Sequence, residues 1–537
     1  MPVASVEQVA ARHLVVARWL LLGTLAALLP LMVALSRDFG VTWDELPRQR
    51  FGERIVEYYQ GEIRIEQFET DGSRLYGGLF DITAVLLQRL LPLDPYNVRH
   101  GLNAVFGWLG IVACAALATR IAGPWAGLLA ACLAATAPRY FGHSMNNPKD
   151  IPFAALGAWS LFAISGIRFS YPYLSLKLAA GIGLCIGLSL SVRPGGLLFL
   201  TYAVGLLLIA LVWNRERDLR RLAATAASLA FLIFIATTVP LPFWPWLQTQ
   251  PYVGLIDAVR GVSDVSWAGM MLFKGRQVAG SAAPWDYVPV WLVYTVPAVV
   301  LAGALLSLGR MSRGIHQAFP LLSLWFAVLF PVAYVIVRGS TIYDGIRQLL
   351  FITPPLFVIS AIGWWWCLTA LEHWPRRVVA GVLVLGVLEP LAFQVRNHPN
   401  QVVYFNTLLG GPTNAVQRFD LDYWGNCYHE AMRRAAPLAR EAHMPVVISG
   451  RQWRMMLLNA PRVPEVVVTD PAREQHHLEA ILLRGSKYDI VRTMYRSDIV
   501  YQVTTADETP LCIVVPGPRY GELDERLRRA RHDQPQP

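Results

Sequence analysis

Charge is scarce in this 537-residue chain: Asp, Glu, Lys and Arg make up 16% of it, while 54% is hydrophobic. A soluble domain carries nearer a quarter charged residues. The deficit argues against an ordinary soluble protein, and a mean hydropathy of +0.39 points the same way. Nucleotide and metal motifs are missing as well. No GxxxxGK[ST] loop occurs, which argues against a P-loop enzyme. There is neither CxxC nor HExxH, so no cofactor is firmly implied and no motif supports a divalent metal. No basic face interleaved with aromatics is present, so no nucleic-acid partner is expected. Cysteines number six. Cys114, Cys132, Cys185 and Cys367 fall in apolar runs, as small buried hydrophobes do. Cys427 and Cys512 fall in a polar tail and would be free to pair if that tail is extracytoplasmic; the sequence leaves this open.

What the chain does have is long apolar runs. They occur at about 14–36, 101–119, 122–138, 151–167, 178–192, 195–213, 222–240, 288–308, 317–337, 347–370 and 378–395. They predict an α-helical polytopic membrane protein of about eleven spans. Arg12 and Arg18 precede the first run with no small-residue cleavage site after it, so that span is expected to stay uncleaved. Net charge is +10, read as loop Lys and Arg that orient the spans. Arg120, the loop with Arg215, Arg217, Arg220 and Arg221, the loop with Arg310 and Arg313, and the pair Arg376 and Arg377 all fall on the N-terminal, cytoplasmic side if eleven runs cross. The opposite, outer side then holds loops 37–100, 139–150 and 241–287 and the tail. Within the first loop, Phe51, Ile55 and Tyr58/Tyr59 predict an amphipathic helix on the membrane surface, and 79–91 a second. After 395 the pattern changes. A helix over His429–His443 and short strands at 446–448, 466–468, 488–491, 499–501 and 511–515 predict a soluble C-terminal α/β domain over 396–537, its charged end fraying. The membrane domain is 1–395.

Asp44 and Glu45 lie just past the first run, where carboxylates are expensive neighbours for hydrocarbon. One reading is a helix start: Thr42 with Glu45 three residues on is a capping box. The other is a general base that takes a proton from an acceptor hydroxyl. Asp150 closes the loop Asn146-Asn147-Pro148-Lys149-Asp150, which reads either as a capped turn or as a site. There Lys149 would bind a phosphate, Asp150 would orient a sugar or a catalytic group, and His143 and Asn147 stand beside them. Arg193, Lys274, Arg276, Arg338 and Arg347 are basic residues on the outer side, with Asp344 between the last two. Singly each reads as a side chain reaching for lipid headgroups. Together they suggest a phosphate site at headgroup depth. Asp420-Leu421-Asp422 has the form of a metal-binding DxD, but with no nucleotide-binding unit before it a polar turn is the better reading.

Trp43-Asp44-Glu45 after the first span, the loop ending Asn147-Pro148-Lys149-Asp150, Arg193, Pro284-Trp285-Asp286-Tyr287, and Arg347 before Pro354-Pro355 resemble the GT-C superfamily of membrane glycosyltransferases. The branch they look like contains the protein O-mannosyltransferases and lipid A aminoarabinose transferases. The stretch from His398-Pro399-Asn400-Gln401 to Asp422-Tyr423-Trp424-Gly425 resembles bacterial members, and the likeness covers about 1–425. It implies a polyprenyl-phosphate-linked sugar as donor. The transfer it implies is to a protein, lipid or polysaccharide acceptor on the outer face of the cytoplasmic membrane, with the acid of the first loop as base. Asp44, Glu45 and Asp150 are then the catalytic candidates. A transporter or flippase of a lipid-linked or anionic substrate, and a non-catalytic member that binds glycan lipid, are the alternatives. A transporter would want charge near the midplane and paired halves. Here the acids sit at span ends and no repeat is visible.

Overall fold

The computed structural model describes residues 6–68, 73–263, 267, 269–485 and 499–532. Every one of the eleven apolar runs is helical. The helices are α1 (Val6–Leu35), α2 (Glu45–Gln60), α3 (Leu79–Leu90), α4 (Pro95–Ala122), α5 (Pro124–Ala135), α6 (Pro138–Asn146), α7 (Asp150–Ile164), α8 (Leu176–Leu190), α9 (Leu197–Trp213) and α10 (Leu219–Thr238). There follow α11 (Pro245–Thr249), α12 (Pro251–Ser263), α13 (Tyr287–Thr295), α14 (Ala298–Met311), α15 (Ile315–Arg338), α16 (Thr353–Ala370), α17 (His373–Arg396), α18 (Gly411–Ala415), α19 (Cys427–Glu441) and α20 (Trp453–Asn459).

Not all eleven runs make full spans. Among the described residues seven helices are long and apolar enough to cross a membrane, or eight if α13 and α14 count as one. These two meet at 110°, because Pro297 follows Val296 at the break and cannot continue a helix. α5, α7 and α8 are apolar but have 12, 15 and 15 residues. At 1.5 Å per residue they fall short of a hydrocarbon core of about 30 Å. The protein is an integral membrane protein by its long apolar helices; against the expectation of about eleven spans, seven or eight are long enough to cross alone, with the three shorter apolar helices beside them. The membrane domain packs through small residues as well as large ones. α14 lies on α16 so closely that a Cβ on Gly363 would stand 1.9 Å from the Gly303 carbonyl oxygen.

Two further expectations shift. The apolar face of α2 is not left for lipid: Phe51 and Ile55 are buried against Phe68, with Ile82 of α3 beside them. Residues 139–150 are not an open loop, because α6 occupies most of them, with Pro138 in its first turn. In 241–287 a hairpin forms, β1 (Met270–Phe273) against β2 (Arg276–Ala279). Its two-residue turn, Lys274-Gly275, has φ of 51° and 76°, the positive pair that suits a tight hairpin and that glycine tolerates.

The C-terminal region carries a five-stranded sheet of order β4-β3-β5-β7-β6. The strands are β3 (Val446–Ser449), β4 (Val466–Val468), β5 (Leu478–Leu482), β6 (Tyr501–Thr504) and β7 (Pro510–Pro516). β3 runs parallel to β4 and β5, while β7 runs antiparallel to β5 and β6. β5 was not anticipated, and the strand expected at 488–491 lies outside the described residues. α19 buries Ala431, Met432, Ala435 and Ala439 and packs on this sheet. A disulfide joins its Cys427 to Cys512 of β7.

Candidate functional site

The segment before α2 is held from several sides. Arg462 donates to the Phe39 carbonyl at 2.8 Å and Asn146 to that of Gly40 at 3.0 Å. Asn459 accepts from the Val41 N–H at 2.8 Å and donates to its carbonyl at 3.4 Å. The Trp43 indole donates to the Tyr423 carbonyl at 2.9 Å. Gly40 passes so near α19 that a Cβ there would stand 2.5 Å from His429 Cβ. The C-terminal region thus grips the chain within a few residues of Asp44.

Asp44 and Glu45 part ways. Glu45 is buried and turned inward. It accepts from the Thr42 N–H at 2.7 Å and lies 2.9 Å from His100 Nε2, which is one half of the capping box plus a buried partner. Asp44 makes no cap and points into a cluster of charges. Its carboxylate is 3.0 Å from Arg347 Nη1 and 4.0 Å from Lys149 Nζ. Arg347 also stands 3.6 Å from Asp150 and 3.3 Å from Asp344. Arg193 pairs with Asp150, and Arg484 with Asp344. Three carboxylates therefore meet Lys149 and the guanidinium groups of residues 193, 347 and 484, leaving one net positive charge.

Each member has a local reason to be where it is. Asp150 opens α7, and Asn147 Oδ1 accepts its N–H at 3.0 Å while Asn147 Nδ2 donates to its carboxylate at 2.9 Å. Asp344 has a φ of 58°, a left-handed turn that Asp tolerates better than most residues. Arg347 opens the short helix leading into α16 and lies over the rings of Trp424 and Tyr343, at 4.8 and 5.0 Å. Lys149 lies 4.7 Å from the centre of the Tyr76 ring.

Exposure separates the members. Arg347 and Asp150 are buried, whereas 25% of the Asp44 side chain is open, more than for Lys149 or Arg193. Burial alone would raise the Asp44 carboxyl, but Arg347, Lys149 and Arg193 outweigh it and hold it at about 2. Burial lowers Lys149. It raises Asp344 despite its two arginines. His143 is buried rather than solvated and is lowered to about 3, first by desolvation, so it is neutral at physiological pH. Its ring lies 3.2 Å from Asn147 Nδ2 and 3.2 Å from the Tyr423 hydroxyl.

Of the residues the sequence singled out, Asp44, Asn147, Lys149, Asp150, Arg193, Asp344 and Arg347 come together, with His143 behind Asn147. Glu45 faces the other way. Lys274 pairs with Asp286, and Arg276 and Arg338 are exposed; among the described residues none of these three basic groups pairs with an acid of the cluster. Arg484, Tyr76, Tyr343 and Trp424 were not picked out. Asp420 and Asp422 spend their carboxylates on backbone amides. Asp420 accepts from Leu272 and Gly485, and Asp422 from Trp424, Gly425, Asn426 and Cys427 at the start of α19. Among the described residues no group of three or more His, Cys, Asp or Glu is arranged to hold a metal ion.

No family model and no curated protein matches the chain. Among solved structures it is similar to ArnT from Cupriavidus metallidurans bound to undecaprenyl phosphate, at 13% identity and a TM-score of 0.49, over 91% of this chain and 97% of that one. It is also similar to the apo oligosaccharyltransferase of Archaeoglobus fulgidus, at 12% identity and a TM-score of 0.47, over 84% of this chain and 65% of that one.

Proposed function

We propose that the protein is a membrane glycosyltransferase that moves a sugar from a polyprenyl-phosphate carrier to an acceptor hydroxyl on the outer face of the cytoplasmic membrane. The observation that carries this reading is the cluster around Arg347. It gathers four cations and three carboxylates, and Asp44 is the acid most open to solvent. Lys149, Arg193 and Arg347 hold the donor phosphate, where guanidinium groups give charge-assisted contacts. Asp44 accepts the proton of the acceptor hydroxyl as that oxygen bonds to the anomeric carbon. The bond from that carbon to the phosphate oxygen breaks, and polyprenyl phosphate leaves with the electron pair. The leaving group is already an anion of a fairly strong acid, so cationic stabilisation takes the place of a second carboxylic acid.

In the free protein Asp44, held at about 2, is a weak base, since a good one has a pKa near the working pH. A bound phosphate competes for Arg347 and Lys149, releases Asp44 from both and raises its basicity. The donor thereby prepares its own base. Asp150 orients the arginines, and Glu45 holds the start of α2. A disulfide in the tail supports an extracytoplasmic C-terminal domain.

Purified protein incubated with radiolabelled polyprenyl-phosphate sugar and a mixed acceptor preparation tests the reading. The transferase releases polyprenyl phosphate and labels the acceptor. Intact donor moved across a proteoliposome, or merely retained, would refute it in favour of a transporter or a binder.

A further inference from the structure

Arg139 of α6 is a buried cation with no carboxylate partner among the described residues. It is 6% exposed. Its Nε donates to the Tyr404 carbonyl at 2.9 Å and its Nη1 to the Tyr423 hydroxyl at 3.4 Å. Among the described residues Nη2 has no partner and no acid forms an ion pair with the guanidinium. Its surroundings are aromatic, with the guanidinium carbon 5.2 Å from the Trp291 ring, 4.9 Å from Phe405 and 6.0 Å from Tyr423. Ring faces offset part of the cost of burying a charge, but a fully desolvated guanidinium calls for an anion.

A cavity adjoins it. Arg139, His143, Thr295, Arg347, Thr353 and Tyr423 line it together with apolar side chains. Its volume of about 20 Å³ is room enough for a water-sized occupant.

The hydrogen-bond chain beside it sets what that occupant must be. Asn147 Oδ1 accepts from the Asp150 N–H, so Nδ2 is the amide's donor end. It gives one hydrogen to Asp150 and the other to His143 Nδ1. Neutral His143 therefore carries its proton on Nε2 and donates to the Tyr423 oxygen at 3.2 Å. That oxygen receives from both His143 and Arg139, which leaves the Tyr423 hydroxyl hydrogen without an acceptor. The threonine hydroxyls on the wall spend their hydrogens on the carbonyls of Trp291 and Leu350. The hydrogens left over on the wall belong to Tyr423 O–H, Arg139 Nη2–H and Arg347 Nε–H, donors all three.

We propose that this cavity is a binding site for one monatomic anion, chloride under ordinary conditions, held by Arg139 and Tyr423. It shares only the Arg347 wall with the charge cluster. The inference does not depend on the transferase reading, and its test does not read activity.

The full-length protein in detergent is melted in chloride, bromide and gluconate at one ionic strength, gluconate being too large to enter. The expected result is a saturable rise in Tm with either halide and none with gluconate. In Arg139→Met and in Tyr423→Phe the halide-dependent rise is lost or weakened. Should Arg139→Met fail to fold, the parent protein still decides: crystals grown in bromide show an anomalous peak in the cavity beside Arg139 Nη2. Equal melting in all three salts, a bromide map without that peak, or a halide effect that survives in Arg139→Met overturns the proposal. In each case the cavity holds water, and Arg139 rests on its rings and two hydrogen bonds.

Discussion

Asp44→Asn keeps the side chain's volume and removes its charge, so its two consequences separate cleanly. Turnover should fall about 10²–10⁴-fold, the usual worth of a positioned base. Donor binding should move the other way. Asp44 engages Arg347 at 3.0 Å and Lys149 at 4.0 Å, and a phosphate must take both from it. Burial raises this carboxyl while Arg347 and Lys149 bring it down to about 2. Against an ordinary aspartate that amounts to about 2 kcal/mol of interaction, discounted to about 1 kcal/mol because water reaches the side chain. Freed of that competition, polyprenyl phosphate should bind about fivefold more tightly. The same interaction stabilises the fold. A depressed carboxyl contributes stability that is present above about pH 4 and lost as pH falls through about 2, so the Asn variant gives up about 1 kcal/mol at neutral pH. Single-turnover transfer of labelled donor and competition by unlabelled polyprenyl phosphate measure the two effects. A variant that turns over within about threefold of the parent would sink the base assignment. Weaker phosphate binding would sink the competition argument.

Arg193→Met should weaken polyprenyl-phosphate binding by about tenfold or more, as loss of a charge-assisted contact does, with KM rising and kcat little changed. Cys427→Ser with Cys512→Ser removes a cross-link spanning 85 residues. By loop entropy this costs about 4 kcal/mol, read as a lower Tm that dithiothreitol reproduces in the parent protein and does not change in the variant. Gly40→Ala places a Cβ 2.5 Å from His429 Cβ. It should cost about 1–3 kcal/mol by overpacking and slow transfer, with expression and membrane insertion as controls. His143 titrates at about 3 in the fold, so the unfolded chain binds the extra proton between about pH 3 and 6.5 and stability must fall as pH drops through that window. His143→Gln should flatten that slope in acid denaturation followed by intrinsic fluorescence.

Hydrophobic periodicity made the helices legible. Each apolar run became a helix because burial in lipid or protein needs only composition over a stretch. How far each helix reaches was not legible: α5, α7 and α8 stop at Ala135, Ile164 and Leu190, inside the apolar runs that predicted them. Asp44, Asp150, Arg193 and Arg347 were legible because a charge at the end of an apolar run is costly and stands out. Lys274, Arg276 and Arg338 carry the same signal for a plainer reason, a long side chain reaching water, and only geometry separates the two cases. Arg484 gave no signal at all. It follows β5, a strand whose place in the sheet depends on β3 and β7, and its pairing with Asp344 spans 140 residues.

The grip of Asn459 on Val41 joins positions 418 residues apart. The long apolar helices from α1 to α17 are all synthesised before Asn459, so in the nascent protein the Asp44 segment has its contact with Asn146 but still lacks its hold from Asn459 and Arg462. The hold on this segment from residues 459 and 462 is thus completed only after the apolar helices before it have been made. A premature stop ahead of Asn459 should leave an inserted but silent protein, and grafting the tail of a distant relative should fail unless residues 39–43 travel with it.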